Sequence, residues 1–155
     1  MSLTFETAVN ACPILAGHHQ AGLGALSRSY RRKIVKNPGT NIRGSVDVDK
    51  ALGSKYPSGS RWDYGIGYRD KSTSSHADDR VCWVEIHPAA SSKDIKKVLA
   101  KLKFHRSWLK ADASELDSLE GEYVWIATGT VGIQKHHRRE LAASNITLQG
   151  KVHHL

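Results

Sequence analysis

The sequence predicts an α/β (α+β) fold with a small central mixed sheet flanked by helices, and three observations carry that prediction. Stretches with the two-residue period of strands alternate with stretches of helical period. Two neighbouring strand-like stretches, separated by a polar loop, read as an antiparallel pair. A strand, a long amphipathic helix and another strand then follow in order between 81 and 128, the succession of a parallel crossover. A chain of 155 residues fits one domain, 1–155, and is long enough to bury a core without staples.

Taken in order, residues 16–36 set Leu23, Leu26, Tyr30 and Ile34 at three- and four-residue steps, which predicts an amphipathic helix stopped by "NPGT" at 37–40. A short strand is expected around 46–48, where Asp47 and Asp49 could add a carboxylate to a site or, equally, Asp49 could cap a short helix starting at Lys50. "RWDYGIGYR" (61–69) alternates, with Trp62, Tyr64, Ile66 and Tyr68 on one face and Asp63, Gly65 and Gly67 on the other. After the polar "DKSTSSHADD", "VCWVEIHPA" (81–89) is the most strand-like segment of the chain. From Ser91 the period becomes helical. Ile95, Val98, Leu99, Leu102, Trp108 and Leu109 form one stripe, with lysines opposite. "EYVWIATG" (122–129) reads as a buried strand, followed by a helix near 132–143 and a short tail strand.

Charge and composition narrow the function. Lys and Arg number 23 against 15 Asp and Glu, a formal net charge of +8. The excess is clustered in "SRSYRRKIVK", "KKVLAKLKFHRSWLK" and "QKHHRRE", which points to a polyanionic partner, nucleic acid first. No apolar run approaches a membrane span, so no membrane partner is expected. The first residues lack the pattern of a secretory signal, and the two cysteines, Cys12 and Cys82, form no CxxC pair. A cytoplasmic location is therefore expected. The paired histidines at 18/19, 136/137 and 153/154 lack the spacing of a helical zinc site and read as solvated.

The chemistry concentrates in the strand-like pair. Alternation puts Glu85 and His87 on one side of their strand, with Cys82, Val84 and Ile86 facing the other way, towards the long helix. If the hairpin register brings Asp63 beside Glu85, two carboxylates and an imidazole converge next to two glycines, which would leave an open approach for a ligand. Two carboxylates on rigid strands suit a hard divalent cation. Trp62 and Trp83 suit core packing or, alternatively, a stacking platform for bases.

The order of elements, with an acid at 63 and "ExH" at 85–87, resembles the PD-(D/E)XK nuclease superfamily. "RWDYGIGY", "WVEIHPA" and "KLKFHRSWLK" are also similar to a group of small bacterial proteins without an assigned function. The resemblance implies an αβββαβ core of restriction-endonuclease-like type and hydrolysis of phosphodiesters with Mg²⁺ or Mn²⁺. Asp63, Glu85 and the Ile86 carbonyl would hold the metal, and His87, at the position of that superfamily's lysine, would orient or deprotonate the attacking water. Arg61, Lys93, Lys97, Lys135, Arg138 and Arg139 would hold the nucleic-acid backbone. The sequence departs from the pattern in three places. Trp62 precedes Asp63, histidine replaces lysine, and 16–36 carries no glutamate, Gln20 being the nearest polar substitute. These departures favour an alternative, a catalytically degenerate scaffold that binds nucleic acid or a protein.

Overall fold

In the computed structural model, which describes residues 2–155, the elements in order are α1 (Phe5–Ala11), α2 (Arg28–Arg31), β1 (Ile34–Val35), β2 (Asn41–Asp47), α3 (Val48–Leu52), β3 (Tyr64–Arg69) and β4 (Arg80–Pro88). They continue with α4 (Ser92–Asp112), α5 (Ser114–Ser118), β5 (Gly121–Thr128), α6 (Lys135–Ala143), β6 (Ile146–Gln149) and β7 (His153–His154). Five strands form one mixed sheet in the order β2-β3-β4-β5-β6. Its β2-β3-β4 half is antiparallel, and β4-β5-β6 is parallel. Strands β1 and β7 pair in parallel as a separate small sheet. The α/β class and the mixed sheet are as expected.

Strand β4 is buried from Val81 to Ile86 because the sheet is covered on both faces. One face packs Val81, Trp83, Tyr123 and Trp125 against α1 and the stripe Ile95, Val98, Leu102, Trp108 and Leu109 of α4. The other packs Ile66, Tyr68, Cys82, Val84, Ile86, Val124 and Ile126 against Leu26, Ile34 and Leu155. The long helix thus lies over Glu85 and His87, and not over Cys82, Val84 and Ile86. A strand buried on both sides offers no apolar alternation to tell its faces apart. Helix α4 starts where the sequence places it. Ser91 is its N-cap, and Ser91 and Asp94 form a reciprocal capping box that satisfies its first N–H groups.

The helix expected over 16–36 does not form. Gly17 and Gly22 take φ of 84° and 55°, a left-handed backbone that interrupts a right-handed helix. Gln20 instead bridges to Ser45 beside β2, and only the single turn of α2 remains. The first helix is α1, N-capped by Thr4, which accepts from Thr7 N. Strand β2 is longer than expected and ends at Asp47, which caps α3 by accepting from Lys50 N at 2.9 Å, so Asp47 and not Asp49 is the cap. Trp62 lies before β3 begins and packs on the α4 side of the sheet, away from Tyr64, Ile66 and Tyr68.

Candidate functional site

Antiparallel pairing of β3 with β4 sets Tyr64 opposite Val84, so the next position outward sets Asp63 opposite Glu85. The two acids meet under α4, where Lys101 reaches both. Its Nζ lies 2.5 Å from Glu85 Oε2 and 3.7 Å from Asp63 Oδ1. Asp63 Oδ2 accepts from the backbone N–H of Ile86 at 2.9 Å, so Ile86 enters the cluster through its amide. Glu85 is fully buried, and its Oε1 has no hydrogen-bond partner among the described residues.

Burial first, and the neighbouring Asp63 second, push the Glu85 carboxyl up to about 9, although Lys101 opposes this. That shift favours the protonated carboxyl at neutral pH, as expected where two carboxylates share a dry site. For Lys101 the order of effects is reversed in sign. Burial works against its charge, yet Glu85 and Asp63 together hold its ammonium above the ordinary value. The site stores a proton that a divalent cation would displace.

His87 shares the Glu85 face, as alternation requires, but its Nε2 lies 3.2 Å from Asp94 Oδ1. Asp94 already accepts from the N–H groups of Ala90 and Ser91 through Oδ2. The imidazole is tied to the start of α4 beside the acid pair. Residues two apart on the strand, Glu85 and His87, are thus matched by residues seven apart on the helix, Lys101 and Asp94. Lys101 was missed in the sequence because a lysine on an amphipathic helix reads as solvent-facing. Its signal was position: it falls three residues after Val98 and four before the buried His105, the spacing of the inward stripe.

Several sequence expectations change here. Gly65 and Gly67 leave no open approach. A Cβ added at Gly67 would sit 2.1 Å from the Phe5 ring, and one at Gly65 would sit 2.6 Å from Trp83. Trp62 and Trp83 are buried and form no stacking platform. Arg61 donates to Asp49 and to the carbonyls of Tyr56 and Pro57, which ties down the segment after α3. Asp47 lies near enough to Asp63 to feel it, and its carboxyl is raised, by burial first. Lys93, Lys97, Lys135, Arg138 and Arg139 are exposed on α4 and α6. Both helices start beyond the C-terminal ends of the parallel strands, where α/β sheets commonly bind ligands. Gln20 is exposed and bridges to Ser45.

On the opposite face of the sheet, Cys82, Glu122 and His153 form a group that could hold a metal ion, with one ligand atom of each within 4.8 Å of the others. His153 is buried, contrary to the solvated reading of the paired histidines. Only the pairing of β7 with β1 brings it inside, and no local pattern announces that contact. Among the described residues, no helix is long and apolar enough to cross a membrane. No family model, no curated protein and no solved structure matches this chain.

Proposed function

We propose that the Asp63–Glu85–Lys101 cluster hydrolyses phosphodiesters of a nucleic acid with Mg²⁺ or Mn²⁺ held by the two carboxylates. The observation that carries this reading is the convergence of two carboxylates from adjacent strands on one lysine amine. The donor set fits a hard cation. Both acids offer oxygen, Glu85 Oε1 is unpartnered, and the Lys101 ammonium stands as a cation against the same two groups. Once bound, the ion supplies Lewis acidity and a water of lowered pKa. Lys101 supplies the permanent positive charge that an imidazole at 87 does not, and it can follow a developing phosphate charge. Ile86 N–H fixes the Asp63 carboxylate, and Asp94 orients His87. Lys93, Lys97, Lys135, Arg138 and Arg139 draw in the polyanion, so affinity falls steeply with salt.

The test is cleavage of single- and double-stranded DNA and RNA with either metal. Asp63→Ala and Glu85→Ala each abolish metal-dependent cleavage, and Lys101→Met reduces it at least tenfold, while far-UV circular dichroism stays unchanged. The proposal fails if the wild type cuts none of these substrates, or if the variants cut as well as the wild type.

A second reading, binding without cleavage, is favoured by the hold of Asp94 on His87, which turns the imidazole towards α4. His87→Lys separates the two. Gain of cleavage marks a degenerate site, and loss of an existing activity marks a histidine in use.

A further inference from the structure

The face of the sheet away from α4 carries a second, independent cluster. Cys82 on β4 and Glu122 on β5 are register partners, so they project from the same side of the sheet. His153 arrives through the pairing of β7 with β1, in which it opposes Ile34. Cys82 is fully buried and His153 is 7% exposed. The His153 Nε2 is buried, has no hydrogen-bond partner among the described residues and lies 3.9 Å from Glu122 Oε1. An imidazole nitrogen left unpaired inside a protein is costly, and here it faces a thiol and a carboxylate.

The outer contacts suit ligation. The side-chain amide of Gln149 lies 3.3 Å from His153 Nδ1. The amide nitrogen is the atom placed there and donates to Nδ1; turned over, the amide presents its oxygen, which holds the ring proton on Nδ1 and leaves the Nε2 lone pair free. Tyr68 OH donates to Glu122 Oε1 at 2.9 Å, which fixes that carboxylate. Tyr68, Glu122 and His153 also line a cavity of about 430 Å³ together with Lys71, Arg80 and His154.

We propose that Cys82, Glu122 and His153 form a zinc site whose fourth position opens to this cavity. Sulfur, imidazole and carboxylate together are the ligand set of a borderline-soft ion such as Zn²⁺ and suit Mg²⁺ and Ca²⁺ poorly. Tetrahedral bonds of about 2.0–2.3 Å put ligand atoms roughly 3.3–3.6 Å apart. The present separations, all within 4.8 Å, therefore close by side-chain adjustments of about an ångström. Binding ties β7 to the centre of the sheet and adds to stability. Burial raises the Cys82 thiol well above its ordinary value, so binding at neutral pH releases its proton to solvent and a thiolate takes the metal.

The experiment uses the full chain, stripped with a chelator and titrated with Co²⁺ as a spectroscopic stand-in for Zn²⁺. One equivalent of Co²⁺ gives a thiolate-to-cobalt charge-transfer band and the intense visible bands of a tetrahedral ion, and Zn²⁺ displaces both. Cys82→Ser removes the charge-transfer band. His153→Ala and Glu122→Gln each weaken Zn²⁺ binding at least tenfold, and the rise in Tm caused by Zn²⁺ disappears in both. Asp63→Asn and Glu85→Gln keep the thiolate-to-cobalt charge-transfer band at one equivalent, which separates this site from the one under α4. No charge-transfer band in the wild type, or a band that survives Cys82→Ser, overturns the proposal. If Cys82→Ser does not fold, the Tm readout in His153→Ala and Glu122→Gln decides, and a Zn²⁺ response kept in both overturns it.

Discussion

Replacing Glu85 by glutamine should stabilise the protein, and by an amount that grows with pH. The carboxyl sits at about 9 in the folded chain against an ordinary value of 4.5. Because the folded value is the higher one, the folded state binds more protons than the unfolded state between these limits. The contribution of Glu85 is therefore complete below about pH 4.5 and is lost as pH rises towards 9. Each unit is worth about 1.4 kcal/mol, so wild type loses roughly 4 kcal/mol from this group between pH 5 and pH 8. The group is fully buried, so solvent screening takes little from that figure. Glutamine is nearly isosteric with the protonated carboxyl, keeps an oxygen for the Lys101 ammonium and does not titrate. Urea unfolding of both proteins at pH 5 and pH 8, at fixed ionic strength, reads the term with its coupling to Asp63 and Lys101, because groups outside this cluster cancel in the difference. With m of about 2 kcal/mol per molar, the midpoint gap between variant and wild type should widen by about 2 M at the higher pH. A gap unchanged within roughly 0.5 kcal/mol, or a variant that is the less stable at pH 8, refutes a protonated Glu85. Such a result would mean an ordinary ion pair with Lys101.

The opposite slope belongs to His105. It packs within 4.4 Å of Trp83, ring centre to ring centre, and complete burial pulls its imidazole down to about 3. Its contribution is whole above pH 6.5 and is lost as pH falls towards 3, so His105→Leu should remove about 3 kcal/mol of the destabilisation between pH 7 and pH 4, read as the shift of the urea midpoint with pH. Asp79 is 1% exposed, accepts from Phe5 N and pairs with Arg69 and Arg43. Asp79→Ala leaves both cations without it and frees the start of α1, and should cost about 3–5 kcal/mol by urea denaturation. Gly67→Ala drives a methyl group into the Phe5 ring and should cost more than about 1 kcal/mol, read as a fall in Tm. A neutral result would mean that α1 yields easily.

The parts of this fold that were legible in the sequence depend on local periods. The long helix, a serine cap at 91 or 92 and strands within 61–69 and 81–89 follow from patterns that one element carries alone. The meeting of Asp63 with Glu85 follows too, because alternation and antiparallel pairing leave only the register to decide. What was illegible depends on two elements at once. Glu85 read as facing outward because a lone buried carboxylate is costly, and only the amine of Lys101 makes the inward position tolerable. Gly65 and Gly67 read as open space because the sequence does not tell that Trp83 and Phe5 fill it. The false helix at 16–36 had the right apolar spacing, but Gly17 and Gly22 turn the backbone left-handed. His153 is the extreme case, a histidine beside the exposed His154 carried inward by a two-residue strand.

The two clusters differ in how much chain must be gathered to build them. Asp63 and Lys101 bracket 101 − 63 = 38 positions, whereas Cys82 and His153 bracket 153 − 82 = 71. Closing a loop of about twice the length costs only about 0.6 kcal/mol more, but the longer closure waits on the docking of a final short strand. The acid pair and its lysine belong to a hairpin and the helix that directly follows it, so they can assemble while the last residues are still free. Fraying of β7 would then open one cluster and leave the other whole, and amide exchange at 153–155 would run ahead of exchange at 84–86. One sheet would in this way keep two sites on separate clocks.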